Sequence, residues 1–432
     1  MRAWSNHLPI RSFTLVVACL VAGAACGSNS GGGGPSTSPV GGGRPVADSS
    51  PGITAATITL GLDYTKNQGA GNEAIGAGGL FGDARDGYNA IIKDINAHGG
   101  IGGRQVVPIF YGFDATGSIP VDQEEQQACT EWTQDHKVFA ILDGSSQILR
   151  ECAKRAGAVQ FWNGGGSIPE TFSEYPHYVE IGSLNMVRMG SVTVNGLAKE
   201  GYFDPGAEVG IVTWDDPSYR EAVEKGFIPA LKSKGISPAA PPFFVASAQT
   251  PQDFGAISAA AKNAVLRFSA AGIDHVLLLD GPLGVCGGGC VTLTFLQAAK
   301  AQKYTPRYGF NDSNSIAAGL KAGIFPADQL PGSINVGWTD FDISYDSGGT
   351  VNQTRETCFA LMRRAGVDMS NPNAQADALG ACDDLWFLRA VFDKMKALGL
   401  TPSANHFMSA VDALGPYDSP SLYGARFGPD QH

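Results

Sequence analysis

Charge of either sign is scarce in this 432-residue chain: Asp, Glu, Lys and Arg make up 16% of it, and no stretch is rich in Lys and Arg. The balance is acidic, with 41 Asp and Glu against 30 Lys and Arg. Such a chain is not suited to holding nucleic acid or to lying directly on anionic head groups. Long apolar runs are also missing. The apolar stretch Phe13–Ala25 falls short of the roughly 18 residues that a membrane span requires. The nucleophile elbow G-x-S-x-G, the zinc motif H-E-x-x-H, the phosphate loop G-x-x-x-x-G-K-[ST] and a G-x-G-x-x-G turn after a strand are all absent. His98, His136, His177, His275, His406 and His432 lie far apart and form no cluster of metal ligands. Nothing in the sequence thus asks for a catalytic residue, a cofactor or a metal, and the expectation is a protein that is not an enzyme.

What is present begins with a processing signal. Arg2 and Arg11 form its positive region, Phe13–Ala25 its short apolar core, and Gly23, Ala24 and Ala25 lead into Cys26. That pattern implies cleavage after residue 25 and acylation of Cys26. Residues 26–52 are a Gly-, Ser- and Pro-rich tether that cannot bury enough apolar surface to fold. Removal of residues 1–25 leaves 28 basic against 41 acidic side chains, a net charge of −13. The remaining ~380 residues exceed what one core usually holds, so two lobes are expected.

Six cysteines follow Cys26 in three sequence-local couples: Cys129 with Cys152, Cys286 with Cys290, and Cys358 with Cys382. An even count behind an export signal favours disulfides, and of the 15 possible connectivities proximity favours this one. Closing loops of this length is worth about 3.5 kcal/mol for each longer loop and about 2 kcal/mol for the short one. A metal site at Cys286-Gly-Gly-Gly-Cys290 would need further ligands that the neighbouring sequence does not offer.

Periodicity gives the fold class. Ala84, Tyr88, Ile91, Ile92 and Ile95 paint one apolar stripe on a helix, with Asp83 placed to cap its start and Gly99-Gly100 its end. Strands are expected at Ile58–Asp63 and Gln105–Tyr111 on either side, completing a βαβ unit. The alternation continues with a helix over Val121–Asp135, a strand over Val138–Leu142, a helix opened by Gly144-Ser145-Ser146-Gln147, and a strand over Ala158–Trp162 ending in Asn163-Gly164-Gly165-Gly166-Ser167. A second run of the same kind starts near Gly182, with helices at Met186–Glu200, Ser218–Lys234, Pro251–Ala271 and Val291–Gln302. Its strands are at Glu208–Trp214, Phe243–Ala246, His275–Asp280, Arg307–Phe310 and Gly332–Gly337. Helices at Asn352–Ala365 and Ala376–Leu398 close the pattern. Such alternation predicts parallel sheets covered on both faces, with ligands held at the carboxyl ends of the strands.

The run Ile95-Asn96 followed by Gly99-Gly100-Ile101 and Gly103-Arg104 resembles the end of the first helix of type I periplasmic ligand-binding proteins of the leucine/isoleucine/valine kind. Val212-Thr213-Trp214-Asp215-Asp216-Pro217-Ser218-Tyr219 is similar to that family's strand and Tyr-bearing loop in the second lobe. The resemblance spans roughly residues 53–432. It implies an α/β fold of two doubly wound, Rossmann-like lobes joined by a three-strand hinge, with residues 53–181 plus about 339–415 in lobe 1 and 182–338 plus about 416–432 in lobe 2.

It also implies a monomeric, lipid-anchored, extracytoplasmic protein that captures a small polar or carboxylate-bearing solute by hinge closure and hands it to an ABC permease. A ligand-sensing ectodomain of the same fold and a secreted hydrolase are the alternatives. By position, Ser145, Ser146, Gly165, Gly166 and Ser167 correspond to the family's first-lobe elements that hold a ligand carboxylate. Trp214 and Tyr219 correspond to the aromatics that close over it, and Asp280 stands near as a charge. Alignment on Phe295-Leu296-Gln297-Ala298 puts Cys290 where amino-acid binders carry the acid that takes the ligand ammonium, which tells against strict amino-acid specificity.

Overall fold

The first strand shows why a sheet forms here. In Thr57–Lys66 (β1), Ile58, Leu60 and Leu62 alternate along the chain and are fully buried, and β-branched and aromatic residues fill its neighbour, Gln105–Asp114 (β2). The structure is a computed structural model that describes residues 50–74, 76–78, 82–142, 146–281, 290–311, 316–321, 323–337, 352–370, 372–421 and 424–429. In it β1 pairs in parallel with β2 on one side and with Ala140–Leu142 (β3) on the other. Val159–Trp162 (β4) and Tyr178–Glu180 (β5) extend the sheet, in the order β2-β1-β3-β4-β5. The helix Ala84–Ala97 links β1 to β2 as expected: the Asp83 carboxylate accepts the Arg85 N–H at 3.0 Å, and Gly99 and Gly100 follow its end at φ 95° and 75°. Only a residue free of a Cβ takes those angles without strain.

Lobe 2 repeats the plan with Val209–Trp214 (β6), Phe243–Val245 (β7), His275–Leu278 (β8), Arg307–Asn311 (β9) and Ile334–Val336 (β10), ordered β10-β9-β8-β6-β7. In both sheets the first strand lies between the second and the third. Connections on the two sides of that point leave in opposite directions, which opens a crevice at the carboxyl ends of β1 and β3 in one lobe and of β6 and β8 in the other. The segment from β5 to the helix Met186–Lys199 carries the chain from lobe 1 to lobe 2. The chain returns through residues 338–351, which lie outside the described residues.

Each lobe has its own core. Lobe 1 packs Ile58, Leu60 and Leu62 against Ile91, Leu385 and Phe407, and lobe 2 packs Val212 and Leu277 against Phe268, Phe295 and Phe310. A fully buried side chain of this kind contributes about 1.5–3 kcal/mol. Cys129–Cys152 ties the helix Val121–Thr130 to the helix Gln147–Ala156 with Cα atoms 5.8 Å apart, and Cys358–Cys382 ties Gln353–Ala365 to Pro372–Ala397 at 6.1 Å. Both separations suit an unstrained bridge. Cys290 is disulfide-bonded as well; Cys286 and Cys26 lie outside the described residues.

Three features depart from the sequence reading. The helix placed over Val121–Asp135 is α-helical only to Thr130 and continues as a π-turn over Glu131–Asp135, and the helix over Ser218–Lys234 contains a π-turn at Ala222–Phe227. The second π-turn falls where Gly226 and Gly190 bring two helices together, leaving no room for a Cβ on either. The closing segment is the third. It contains a hairpin of Gly415–Tyr417 (β11) and Ala425–Phe427 (β12), and Tyr417 and Phe427 enter the core of lobe 1, against Phe387, rather than lobe 2.

Among the described residues, polar contacts also join the lobes at Gln249 and at Lys225. No side chain of its own segment caps the helix Val121–Thr130, which follows Pro120. Gln249 of lobe 2 supplies the missing acceptors: its carbonyl takes the Val121 N–H at 3.0 Å and its side-chain Oε1 takes the Asp122 N–H at 3.4 Å. Lys225 of lobe 2 meets Glu170 of lobe 1 at 3.3 Å.

Candidate functional site

Polar groups lie at the carboxyl ends of β3, β4 and β5 in lobe 1 and of β6 and β8 in lobe 2. In lobe 1, Ser146 caps the helix Gln147–Ala156 by accepting the Leu149 N–H at 3.1 Å, and it also bonds the Glu125 carboxylate. Burial pushes the Glu125 carboxyl up to about 7, against the pull of Ser146 and Arg150. One turn into that helix, the Arg150 guanidinium lies 5.5 and 5.4 Å from the ring centres of Tyr175 and Tyr178, near enough for cation–π attraction. Ser145 lies outside the described residues.

The Gly/Ser turn after β4 is shaped by what packs beneath it. Gly164 lies on the Trp162 ring and Gly165 on Ser183, each too close for a side chain, and Gly166 has φ 152°. The turn delivers Ser167 into the interior, 1% exposed. There its N–H donates to Glu180 Oε1 at 3.0 Å, its hydroxyl donates to the Tyr178 hydroxyl at 3.3 Å, and that hydroxyl donates to the same Glu180 oxygen at 2.9 Å. Glu180 ends β5 and is 3% exposed. Its Oε1 is held twice, whereas Oε2 is buried and has no hydrogen-bond partner among the described residues. Burial pushes this carboxyl up to about 6, and Ser167, Tyr178 and the Arg150 charge hold it from rising further.

In lobe 2, Trp214 and Asp280 face each other in the interior. Trp214, fully buried at the end of β6, donates its indole N–H to Asp280 Oδ1 at 2.9 Å and to the Gly281 carbonyl at 3.1 Å. Asp280 Oδ1 also accepts the Gly281 N–H at 2.9 Å, and Oδ2 accepts the Thr292 N–H at 2.8 Å, in the first turn of the helix Cys290–Ala301. Both oxygens of Asp280 are thereby engaged inside the lobe. Burial raises its carboxyl above the usual range, and the donors around it counter that. Asp216 caps the short helix Pro217–Glu221 by accepting the Ser218 N–H at 2.9 Å, and so sets the turn that presents Tyr219. Tyr219 is 3% exposed, and its phenol is pushed well above its ordinary range by burial first, then by the charges of Asp280, Asp216 and Glu180.

The Glu180 field at Tyr219 comes from the other lobe. Of the residues expected from the sequence, Ser167 is bonded to Glu180, whose charge acts with that of Asp280 at Tyr219, and Gly165 and Gly166 shape the turn that leads into Ser167. Ser146 bonds Glu125, on which Arg150 also acts, and Trp214 donates to Asp280 within lobe 2. Glu180, Tyr178, Arg150 and Glu125 were not anticipated. A signal for the first was available: an acid between Val179 and Ile181 in an otherwise apolar strand is costly to bury unless something holds it. Two hollows on lobe 1, one lined by Trp386 and Arg389 and one by Tyr111 and His136, contain none of these residues. Among the described residues no group of three His, Cys, Asp or Glu could hold a metal ion, and no helix is long and apolar enough to cross a membrane.

Two doubly wound parallel-sheet lobes joined by a crossing chain, with polar groups at their strand ends, define a class of ligand-binding fold. The chain belongs to the periplasmic binding protein family, whose sequence model matches residues 75–432. Comparison with curated proteins gives no match. Among solved structures it is similar to a fatty acid ABC transporter substrate-binding protein from Thermomonospora curvata, at TM-score 0.59 and 16% identity over 88% of this chain and 86% of that one. It is also similar to the branched-chain amino acid transporter substrate-binding protein LivJ from Streptococcus pneumoniae in complex with isoleucine, at TM-score 0.57 and 13% identity over 87% and 93%. A solute-binding protein from R. palustris in complex with 4-hydroxybenzoate matches at TM-score 0.54 and 17% identity over 87% and 89%. At these identities the likeness is one of fold.

Proposed function

We propose that this protein is the extracytoplasmic solute-binding component of an ABC importer, a monomer that captures one small solute between its lobes and presents the closed form to its permease. The observation that carries the reading is the placement of Ser167 and Glu180 from lobe 1 and Tyr219 from lobe 2 around one region at the strand ends. A ligand that touches both lobes only when they are together shifts the equilibrium toward closure. The solute pairs a polar end, toward lobe 1, with an apolar body toward Tyr219. The ligands named for the neighbours, a fatty acid, isoleucine and 4-hydroxybenzoate, make carboxylates the first class to screen. The commitment of the Ser167 N–H to Glu180 does not favour a carboxylate at that position.

Acylation at Cys26, followed by the tether, would hold the domain within reach of the membrane; the small residues before Cys26 support this. The test of function is a thermal-shift screen of a solute library followed by uptake measurements in a deletion strain. A solute that raises Tm and whose uptake depends on this protein is the expected result. A bound solute that the protein turns over, or whose uptake is unchanged in the deletion strain, refutes it. For the anchor, intact mass should show acylated Cys26 at the mature N-terminus, and Cys26→Ala should release the protein to the medium; membrane retention of that variant refutes the assignment.

A further inference from the structure

The lobe-1 turn that the family resemblance assigns to a ligand carboxylate already holds one, supplied by the chain itself. Glu180 Oε1 takes the Ser167 N–H and the Tyr178 hydroxyl. A second anion at the same donors would meet a buried carboxylate at close range, an unfavourable encounter in a low-dielectric site. The other oxygen, Oε2, sets the opposite requirement: it is a buried acceptor with no donor among the described residues. Leaving such a group unpaired is costly, and more so when it is charged. A ligand that supplies the donor recovers that cost, and a ligand without one does not.

The surroundings hold one cation, Arg150, against several carboxylates. Arg150 of the helix Gln147–Ala156 is the cation that acts on Glu180, and its guanidinium is spread over the rings of Tyr175 and Tyr178. It is shared with Glu125 of the helix Val121–Thr130. From lobe 2, Asp216 and Asp280 add their fields at Tyr219. The aromatic face of Tyr219 suits a cation as well as an apolar body.

We propose that the cleft selects a solute whose end toward lobe 1 is a primary ammonium, donated to Glu180 Oε2 beside Tyr219, and that it discriminates against solutes offering only a carboxylate there. This rests on the solute-binding reading above and assigns the polar end of the ligand. It makes Glu180 the determinant of specificity: the residue inverts the polarity of the Gly/Ser turn by occupying it.

The experiment uses the full mature chain and matched probes: primary n-alkylamines from propylamine to octylamine with benzylamine, and the carboxylates of equal size with benzoate. Thermal shift ranks them and calorimetry gives Kd. The expected result is that an amine raises Tm while its carboxylate partner does not. Glu180→Gln should weaken that amine at least tenfold with circular dichroism unchanged. Because burial places the Glu180 carboxyl near 6, amine affinity should fall as pH drops through that region, and the Gln variant should lose this dependence. Arg150, Glu125, Tyr178, Tyr219 and Asp216 face the same region, so an Arg150→Gln control, which keeps Glu180, should retain a pH-dependent amine response. A carboxylate binding more tightly than its amine overturns the proposal, as does full amine affinity in Glu180→Gln. If neither series binds but a broader library of amino acids, sugars and aromatic acids yields a ligand without an amine, the Glu180 assignment fails and the solute-binding reading stands. If no library yields a ligand, both fall.

Discussion

Replacing Trp214 by Phe tests whether Asp280 is an internal strut or a group free to meet a ligand. The change removes the indole N–H that donates to Asp280 Oδ1 at 2.9 Å and to the Gly281 carbonyl at 3.1 Å. A hydrogen bond to a charged group is worth about 1.5–3 kcal/mol. The smaller ring leaves roughly 40 Å³ unfilled at a fully buried site, which adds about 1 kcal/mol at the usual cavity cost. Lobe 2 should lose about 2.5–4 kcal/mol. Part of the loss depends on pH. Asp280 already has its carboxyl raised by burial, and losing a donor raises it further. A raised acid contributes stability below its unfolded value that disappears as pH climbs through its folded value. The deficit of Trp214→Phe should therefore be larger at pH 8 than at pH 4. Urea unfolding followed by far-ultraviolet circular dichroism at both pH values measures it. A loss below ~1 kcal/mol at both would refute the reasoning, because the carboxylate would then not depend on the indole and could serve a ligand.

Peptide mapping without reduction should recover Cys129–Cys152 and Cys358–Cys382 and pair Cys290 with Cys286; a free thiol at any of these six in exported protein contradicts the pairing. Tyr219→Ala should weaken a confirmed ligand by on the order of 1–3 kcal/mol, read by calorimetry, and unchanged affinity would move the binding site away from this region. Asp377 is pushed up to about 7 by burial and by the charges of Asp63 and Asp83, so its contribution is present below its ordinary value of 3.8 and is lost as pH rises through 7. Each pKa unit is worth about 1.4 kcal/mol. Asp377→Asn should accordingly raise Tm at pH 8 and change it little at pH 4, and a lower Tm at pH 8 would show that the charge is held by something stabilising.

The repeating parts of the fold were legible because they are set by local periodicity. The stripe from Ala84 to Ile95 and its two caps follow from side-chain spacing and from the angles open to glycine, and the structure keeps them all. The π-turns were not legible. Ala222–Phe227 has the same apolar spacing as an ordinary helix, and its extra residue per turn is tied to the close approach of Gly226 and Gly190, a tertiary contact. The short helix Pro169–Glu174 and the hairpin near the end are too brief to show a period. At the site, Tyr219 could be anticipated from its place after a strand. Trp214 and Asp280 share a region as anticipated, yet they engage each other, a pairing of residues 66 apart that no local pattern encodes. Glu180 was missed for a related reason: its partner Ser167 lies 13 residues earlier on another loop, so the sequence shows the cost of the buried charge without showing what meets it.

Gln249 caps a helix that belongs to the opposite lobe, and this bears on how tightly the protein holds any solute at all. Neither hydrogen bond involves a ligand, so on the solute-binding reading proposed above the pair favours the arrangement in which the lobes meet. Observed affinity is the intrinsic affinity scaled by the fraction of molecules already competent to bind. Asp253 fixes the Gln249 loop by accepting the N–H groups of Gln249 and Thr250 at 3.1 and 2.9 Å, so on the same reading a change at Asp253 should alter that fraction and move the affinity of every ligand by one common factor. On that reading, selectivity among solutes would rest with the residues around Glu180 and Tyr219, and the working concentration range would be set separately, at Gln249 and Asp253.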